Sequence, residues 1–302
     1  MEERAFIMRF KRTFLALIAI SLLSFQTWGQ QNVSIWKPVE TAFGRGGKLQ
    51  PDGVFKFSMP RKDLNVTVSG TSIKAGLALG SWVAFKGDVA DSMVMGDLVL
   101  TEGEVEPVML KLQQGGVEIT ALHNHVLNES PRVMYMHIAG HGNAAKLAQA
   151  IHDALALTKT PGESAAPAAT QKLDLNTDQI DQALRNQGKD NSGVYQVSVP
   201  RAETIKEGGM EIPPSMGVAT AINFQPTGAG KAAITGDFVL IASEVNPVIA
   251  ALRENGIEVT ALHSHMLDEE PRLFFMHFWA NDDAVKLAQG LRAALDKTSS
   301  KK

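Results

Sequence analysis

Residues 120–137 read TALHNHVLNESPRVMYMH, and residues 260–277 read TALHSHMLDEEPRLFFMH. The second stretch repeats the first at a fixed offset, and each contains a His-x-His pair followed by a third histidine. The histidines of this pattern are His123, His125, His137, His263, His265 and His277. Because a structural unit recurs together with its histidines, the sequence predicts a tandem duplication in which each copy carries the same candidate site.

The repetition extends well beyond the histidines. Residues 96–158 align with residues 236–298 without a gap. Between the two copies, KTPGESAAPAATQK at 159–172 is rich in Pro, Ala, Ser and Gly and has no apolar period, which is typical of a linker. We therefore predict a first repeat domain over 30–158, a linker over 159–172 and a second repeat domain over 173–302.

Residues 1–29 have the pattern of a secretory signal peptide. Arg9, Lys11 and Arg12 precede an apolar run at 14–25, and a polar stretch follows. The apolar run is shorter than the ~20 residues that a membrane-spanning helix needs. The pattern predicts an exported protein, periplasmic or secreted, with no transmembrane segment in the mature chain.

The composition limits the classes of partner and site. The formal net charge of −3 and the pI of about 6.3 provide no basic field, so we do not expect a nucleic-acid partner. The 302 residues are 44% hydrophobic, which is enough to give each half a core. The chain has no cysteine, and this excludes thiolate catalysis, cysteine-bound zinc and a lipid-modified cysteine at the signal junction. Any metal ion must be held by His, Asp or Glu.

Each repeat shows the same order of predicted elements. The first copy has strands near 54–59, 64–69, 81–86, 93–100, 117–126 and 132–138, and helices near 104–114 and 143–157. The second copy follows the same order and adds a short helix at 177–185, capped by Asn176 or Thr177. This order predicts an α+β fold of two tandem homologous repeats. In each repeat, strands followed by β-α-β-β-α form a mixed β-sheet with two helices covering it.

Several segments resemble a known family. They are GSWVAF at 80–85, MGDLVL at 95–100, EVEPV at 104–108, TALHNH at 120–125 and PRVMYMH at 131–137. Together they resemble the LppY/LpqO family of exported bacterial proteins, and the resemblance spans nearly all of the mature chain. It implies export and carries no activity with it. The family is named after lipoproteins, whereas this chain lacks a lipobox cysteine, so the resemblance does not imply a lipid anchor here.

The histidines are candidate metal ligands, all six of them. His123 and His125 are two residues apart on a predicted strand, so their side chains should share one face, and the same holds for His263 and His265. His137 lies on the next strand, and its side chain joins that face only in a favourable register, because a one-residue slip would put it opposite. Three neutral imidazoles with an open position would make a catalytic-type site for a divalent metal ion, with zinc expected first.

Four carboxylates are candidate catalytic groups near these histidines. Asp97 and Asp237 lie in the two Gly-Asp-x-Val-Leu strands, and Glu104 and Glu244 lie at the start of the helix that follows each strand. Each could be a metal ligand or a general base. Glu104 is also explained by its charge alone, because an acidic side chain stabilises a helix N-terminus.

Simpler explanations stay open for each group. The six histidines could form a structural hydrogen-bond network or lie exposed without a function. His141 and His152 have no counterpart in the second copy, so we expect both at the surface. Arg61 and Arg201 each follow a proline at a strand end. They could bind an anionic ligand or simply form ion pairs.

These patterns support two main functional hypotheses. The first is an exported two-repeat protein that binds a divalent metal ion and acts as a metal-dependent hydrolase. The alternative is a non-catalytic periplasmic or cell-envelope protein that binds a small molecule, a cell-envelope component or a protein partner. Two similar domains often pack about an approximate twofold axis, so the two candidate sites could be independent or could form one composite site. A purely structural role for the histidines is the third possibility.

Overall fold

The computed structural model describes residues 35–162 and 173–301. The predicted signal peptide over 1–29 lies outside these residues, as does most of the predicted linker over 159–172. Within the described part of the chain, every helix is too short or too polar to cross a membrane.

The first repeat alternates short helices with strands of very different lengths. Its elements are α1 (Lys37–Phe43), β1 (Lys48–Leu49), β2 (Phe55–Pro60), β3 (Thr67–Val68), β4 (Thr71–Ser72), α2 (Ala75–Ala78), β5 (Gly80–Gly87), β6 (Ser92–Thr101), α3 (Glu102–Gln114), β7 (Glu118–His123), β8 (Glu129–Ser130), β9 (Val133–Gly142) and α4 (Ala144–Leu155).

The second repeat has nearly the same order. Its elements are α5 (Thr177–Leu184), β10 (Lys189–Asp190), β11 (Tyr195–Pro200), β12 (Lys206–Glu207), β13 (Met210–Glu211), β14 (Ala219–Gly228), β15 (Lys231–Leu240), α6 (Val245–Glu254), β16 (Glu258–His263), β17 (Glu269–Glu270), β18 (Phe274–Asp283) and α7 (Ala284–Leu295), with 3₁₀ turns at Pro214–Met216 and Ala242–Glu244. The predicted α+β fold of two homologous repeats is confirmed.

Each repeat is built on one six-stranded sheet. The strand order is β1-β2-β5-β6-β9-β7 in the first repeat and β10-β11-β14-β15-β18-β16 in the second. Neighbouring strands in both sheets run antiparallel. The helix α3 carries the chain from β6 to β7 across β9, so β6 and β7 are parallel to each other with one strand between them. The predicted crossover connection is therefore present, with β9 lying between the two parallel strands that it joins.

The helices of each repeat cover the outer face of its sheet. Side chains alternate along β6, and Val94, Leu98 and Leu100 point into the core that the sheet forms with the helices. Ile151 of α4 is fully buried in the same core, and burying such a side chain contributes roughly 1.5–3 kcal/mol. The second repeat forms an equivalent core with α5, α6 and α7.

The inner faces of the two sheets pack against each other. Met95 of β6 belongs to one cluster with Val239 and Phe275 of the second repeat. Val99 belongs to another cluster with Trp279. The molecule therefore has four layers, in the order helices, sheet, sheet and helices. Any polar side chain on an inner face is enclosed between the two sheets.

Two details of the first repeat differ from the sequence prediction. The helix α1 was not predicted, because Lys37–Phe43 is only seven residues long and buries just two of them, Val39 and Phe43. Its counterpart α5 was predicted, and the side chain of Asn176 caps it by accepting from the backbone N–H of Gln179. The strand expected over 117–126 ends at His123, so the expectation that His125 lies on that strand is wrong.

Candidate metal centre

The register of β7 against β9 decides where the first histidines point. His123 lies opposite Tyr135, and Ala121 lies opposite His137, with a bulge between Ile119 and Ala121. Residues directly opposite each other in an antiparallel pair share a face. The side chains of His123, Tyr135 and His137 therefore all lie on the inner face of the sheet.

The second repeat has the same register. His263 lies opposite Phe275, and His277 lies two residues further along β18. His125 and His265 come just after the ends of β7 and β16, and their rings turn back onto the inner faces. The ring of His125 is 5.1 Å from that of His123, and the ring of His265 is 4.8 Å from that of His263, measured between centroids.

The histidines of the two repeats meet at the interface between the sheets. Each contact has its reciprocal, as an approximate twofold axis requires. The ring-centroid distances are 3.6 Å for His123–His263, 3.8 Å for His125–His277 and 3.7 Å for His137–His265. The two candidate sites are therefore one composite cluster, which we call the histidine centre.

Hydrogen bonds orient two of these rings toward the middle of the histidine centre. His277 donates from Nδ1 to the carbonyl oxygen of Gly236 at 2.8 Å, and His123 donates from Nδ1 to that of Asn124 at 3.2 Å. Such a bond at one ring nitrogen leaves the other nitrogen as a lone-pair donor, which is how metal-binding histidines are held.

Most of the inward nitrogens are buried without a partner. Five of them have no hydrogen-bond partner within the described residues, namely Nε2 of His123, His125, His137 and His277 and Nδ1 of His263. The remaining inward contact joins Nε2 of His263 to Nε2 of His265 at 2.8 Å. Buried polar atoms are nearly always satisfied, so this concentration of unpaired nitrogens marks the histidine centre as a candidate ligand site.

The nitrogens are close enough to share a metal ion. Two groups each offer ligand atoms that all lie within 4.8 Å of one another, and His123 belongs to both. One group is His123, His263, His265 and His277, and the other is His123, His125 and His137. Neither repeat alone supplies the first group.

Two of the four predicted carboxylates adjoin the histidine centre. Asp97 lies opposite His137 in the β6–β9 ladder, and its Oδ1 is 3.9 Å from Nε2 of that histidine. Oδ2 of Asp237 lies 3.8 Å from Nε2 of His265, and its Oδ1 lies 3.9 Å from Nδ1 of His277. Oδ1 of Asp97 and Oδ1 of Asp237 are also buried and unpaired within the described chain.

Burial controls the charge of these groups. It lowers the pKa of all six histidines, to about 4 for His123, about 3 for His277 and about 2 for His263. Burial also raises the pKa of Asp97 to about 8, opposed by the charge of Lys56. The pKa of Asp237 is raised well above its usual value by burial and by the charge of Asp97. At neutral pH the imidazoles are therefore uncharged, as metal ligands must be.

The other two predicted carboxylates have a structural role. Glu104 accepts from Arg61 Nη1 at 2.8 Å and from the backbone N–H groups of Thr101 and Lys159. Glu244 makes the matching 2.7 Å contact with Arg201. Both oxygens of each carboxylate are thus occupied at the start of a helix.

The arginines of these pairs are buried as well. Arg61 and Arg201 are almost fully enclosed, and each also pairs with a second carboxylate, Asp63 or Glu203. Of the two explanations considered for them, the ion pair is the one observed. His141 and His152 are exposed, as predicted.

Sequence reasoning missed the contacts made across the repeat interface. Lys56 donates from Nζ to the carbonyl oxygen of Ser215 at 2.7 Å and lies 4.1 Å above the ring of Trp82. Burial lowers the pKa of Lys56 to about 8, opposed chiefly by Asp52. In the sequence, Lys56 looks like any charged residue on a strand, because its hydrogen-bond partner Ser215 lies in the other repeat.

Comparison with known proteins identifies the repeat. The family described as Domain of Unknown Function (DUF1259) matches residues 37–157 and 178–297, one match per repeat. No curated protein matches the chain.

Two solved structures show a distant likeness. One is a trimeric bacterial microcompartment shell protein, PduB, at 13% identity and a TM-score of 0.19, covering 82% of this chain and 87% of that chain. The other is EtuB from Clostridium kluyveri, at 9% identity and a TM-score of 0.19, covering 82% and 90%. Likeness at this level supports no statement about function.

Proposed function

The chain belongs to this family of unknown function, and we propose from its own residues that the histidine centre binds a divalent metal ion, with zinc expected first. The observation that carries the proposal is the convergence of buried, unpaired imidazole nitrogens from both repeats within 4.8 Å of one another. A purely structural hydrogen-bond network would pair these nitrogens instead of leaving them unsatisfied.

The donor set fits a borderline cation. Neutral imidazoles suit zinc, copper, iron and nickel, and four of them provide the usual coordination number of zinc. Asp97 and Asp237 add two carboxylates at the edge of the histidine centre, available as further ligands. Calcium and magnesium prefer oxygen ligands, so this set disfavours both.

If the histidine centre is catalytic, the reaction that we propose for it is metal-dependent hydrolysis. A bound divalent ion would supply Lewis acidity at the histidine centre. Asp97 and Asp237 would then hold or accept the proton at their unpaired Oδ1 atoms, because burial keeps both carboxyl groups ready to bind a proton near neutral pH. Glu104 and Glu244 have no part in this mechanism, since their oxygens are used by arginines and backbone N–H groups.

A non-catalytic binding protein of the cell envelope is the second candidate. Four exposed leucines occupy corresponding positions in the two repeats, Leu122 with Leu262 and Leu127 with Leu267. An apolar surface repeated beside the histidine segments favours contact with another molecule. Export belongs to both candidates, and so does the relation to LppY/LpqO proteins. Export and the relation to LppY/LpqO proteins rest on the sequence pattern alone.

Metal content tests the proposal directly. The full chain is expressed without a histidine tag, purified without chelator and analysed by plasma mass spectrometry. We expect at least one equivalent of a transition metal per chain in the purified protein. The double variant His123→Ala with His263→Ala should lose it, because these two residues hold the middle of the cluster.

The control for that experiment is His141→Ala. His141 is exposed and its ion-pair partner is Asp91 at 3.4 Å, so its loss should leave the metal content unchanged. Circular dichroism confirms that each variant is folded. A protein that takes up no metal after incubation with zinc, copper, iron or manganese would overturn the proposal. Metal retained by a folded double variant would do the same.

A further inference from the structure

Each repeat brings its own histidines together within the histidine centre. The ligand atoms of one set all lie within 4.8 Å of one another, and so do those of the other set. The first set is His123, His125 and His137, and the second set is His263, His265 and His277. His123 is also within that distance of every member of the second set, so it lies between the two sets.

The histidine centre has more donors than one ion uses. Zinc is usually bound by four ligands, and the four-histidine group takes only His123 from the first repeat. An ion in that group would leave Nε2 of His125 and Nε2 of His137 buried without a partner among the described residues. Oδ1 of Asp97, beside His137, would stay unpaired in the same way. Because buried polar atoms are rarely left unsatisfied, a single ion does not account for the first set.

A carboxylate adjoins each set. Oδ1 of Asp97 lies 3.9 Å from Nε2 of His137, and Oδ2 of Asp237 lies 3.8 Å from Nε2 of His265. Each aspartate is thus next to a histidine of its own repeat. Three imidazoles and one carboxylate make four donors in each repeat, which is the number that zinc usually takes. Two carboxylates would also offset part of the charge that two divalent ions bring into a buried site.

The stacking of the rings keeps the two sets apart. His125 of the first set stacks on His277 of the second, and His137 stacks on His265, with 3.8 and 3.7 Å between the centroids. The planes of the stacked rings differ by 27° and 17°. An imidazole nitrogen donates its lone pair in the plane of its ring, so stacked rings direct their lone pairs to neighbouring positions. The spacing of the rings matches the separation of about 3.5–4 Å between the ions of two-metal sites.

We propose that the histidine centre holds two divalent metal ions side by side. One ion is bound by the first set with Asp97, and the other is bound by the second set with Asp237. The inference rests on the proposed metal binding and goes beyond it, because it gives the number of ions and assigns the donors of each. The twofold arrangement of the repeats thereby becomes a twofold arrangement of the ions.

The metal stoichiometry of two matched variants tests this inference. The full chain is loaded with zinc, passed through a desalting column and analysed by plasma mass spectrometry. We expect two equivalents in the unaltered protein and one equivalent in each double variant. The first variant is His125→Ala with His137→Ala, and the second is His265→Ala with His277→Ala. The control His141→Ala, at the surface, should keep two equivalents.

A single ion in the four-histidine group predicts a different pattern. The unaltered protein would bind one equivalent, the variant at His125 and His137 would keep it, and the variant at His265 and His277 would lose it. That pattern would overturn the inference while the proposed metal binding stands. Two equivalents in both folded double variants would also overturn it. If the unaltered protein binds no metal, both proposals fail together.

Electron paramagnetic resonance of the copper(II)-loaded protein tests whether the two ions are neighbours. This measurement uses the unaltered chain and so does not depend on the folding of any variant. Two copper(II) ions about 3.5–4 Å apart interact magnetically, so we expect a broadened spectrum with a half-field transition. An ordinary mononuclear spectrum that accounts for all of the bound copper would overturn the inference.

Discussion

The ring of His123 packs against that of His263, its counterpart in the other repeat, with 3.6 Å between the centroids. Two protonated imidazoles at this distance, shielded from water, would repel each other strongly. Both rings are therefore neutral, and Nε2 of His123 and Nδ1 of His263 are buried without a hydrogen-bond partner within the described residues. The contact between the repeats therefore brings candidate metal ligands of both halves together.

Glu104→Gln should destabilise the fold without changing metal content. The substitution removes the charge that faces the buried guanidinium of Arg61, whose other carboxylate partner is Asp63. We expect a loss of about 2 kcal/mol in the free energy of unfolding, measured by urea denaturation. Glu102→Gln in the same helix is the control, because its contact with Arg132 is exposed, and it should cost less than about 0.5 kcal/mol. Loss of metal from folded Glu104→Gln would contradict the structural role.

The metal-free protein should be most stable near pH 6–7. The pKa of each of the six histidines is lowered in the folded chain. The unfolded chain therefore binds more protons below about 6.5, and stability is lost as the pH falls toward 4. The two aspartates act in the opposite direction, because Asp97 and Asp237 keep their protons when folded and release them when unfolded above about pH 4.

The difference in bound protons between the unfolded and the folded chain sets the sign of the slope on each side of the stability maximum. Between about pH 4 and 6.5 the six histidines outnumber the two aspartates, so stability rises with pH. Between about pH 7 and 8 the two aspartates, together with Glu129, whose pKa burial raises to about 7, outweigh Lys56, whose pKa burial lowers to about 8, so stability falls. Thermal unfolding of chelator-treated protein across this range measures both slopes. Asp97→Asn with Asp237→Asn should greatly reduce the fall above about pH 7 and keep the rise below it. An unchanged alkaline slope in that variant would contradict the assignment.

Gly236→Ala should disturb the fold beside the histidine centre. A Cβ atom at this position would overlap the backbone carbonyl of Ala221 on the neighbouring strand and approach Phe278 at 3.0 Å. The backbone atoms cannot move aside cheaply, so we expect a loss of about 3 kcal/mol. The carbonyl of Gly236 also orients His277, so the folded fraction should bind metal more weakly.

Gly103→Ala is the matched control for this substitution. A Cβ atom at Gly103 meets nothing within 4 Å, and the residue lies in the first turn of α3. The change should stabilise the protein by up to about 0.5 kcal/mol. If chemical denaturation showed the same change in the free energy of unfolding for both substitutions, the expected overlap at Gly236 would be contradicted.

Tyr135→Phe should cost about 1 kcal/mol and leave metal binding intact. The phenol hydroxyl donates to the carbonyl oxygen of Ala78, and its removal leaves that buried carbonyl unpaired. The ring still covers His125, as Phe275 covers His265 in the second repeat. Urea denaturation and metal analysis of the same sample test both statements. Metal loss would show that the hydroxyl takes part in the site.

The sequence was sufficient for the repeat and for the α+β class, and it left open whether His137 and His277 share the face of the His-x-His pairs. The apolar pattern of β6 and β9 is strong because both strands are buried on both faces. The helix α1 was missed because seven residues with two buried positions carry little periodicity. The strand end at His123 was missed because TALHNH continues an alternating pattern up to residue 125.

The sequence alone could not establish that the site is composite. The pairing of His125 with His277, and of His137 with His265, depends on how the two sheets pack face to face. No local pattern encodes that packing. The same holds for Glu104, whose role became clear only when Arg61, far away in sequence, was seen to occupy its oxygens.

Because His123 belongs to both groups of candidate metal ligands, the duplication offers no spare copy of this histidine. In a chain with two independent sites, damage to one site leaves the other intact, and the chain keeps half of its binding capacity. Here the loss of His123 alone removes a donor from both groups. The doubled chain is, in this respect, as vulnerable to mutation as a protein with a single site.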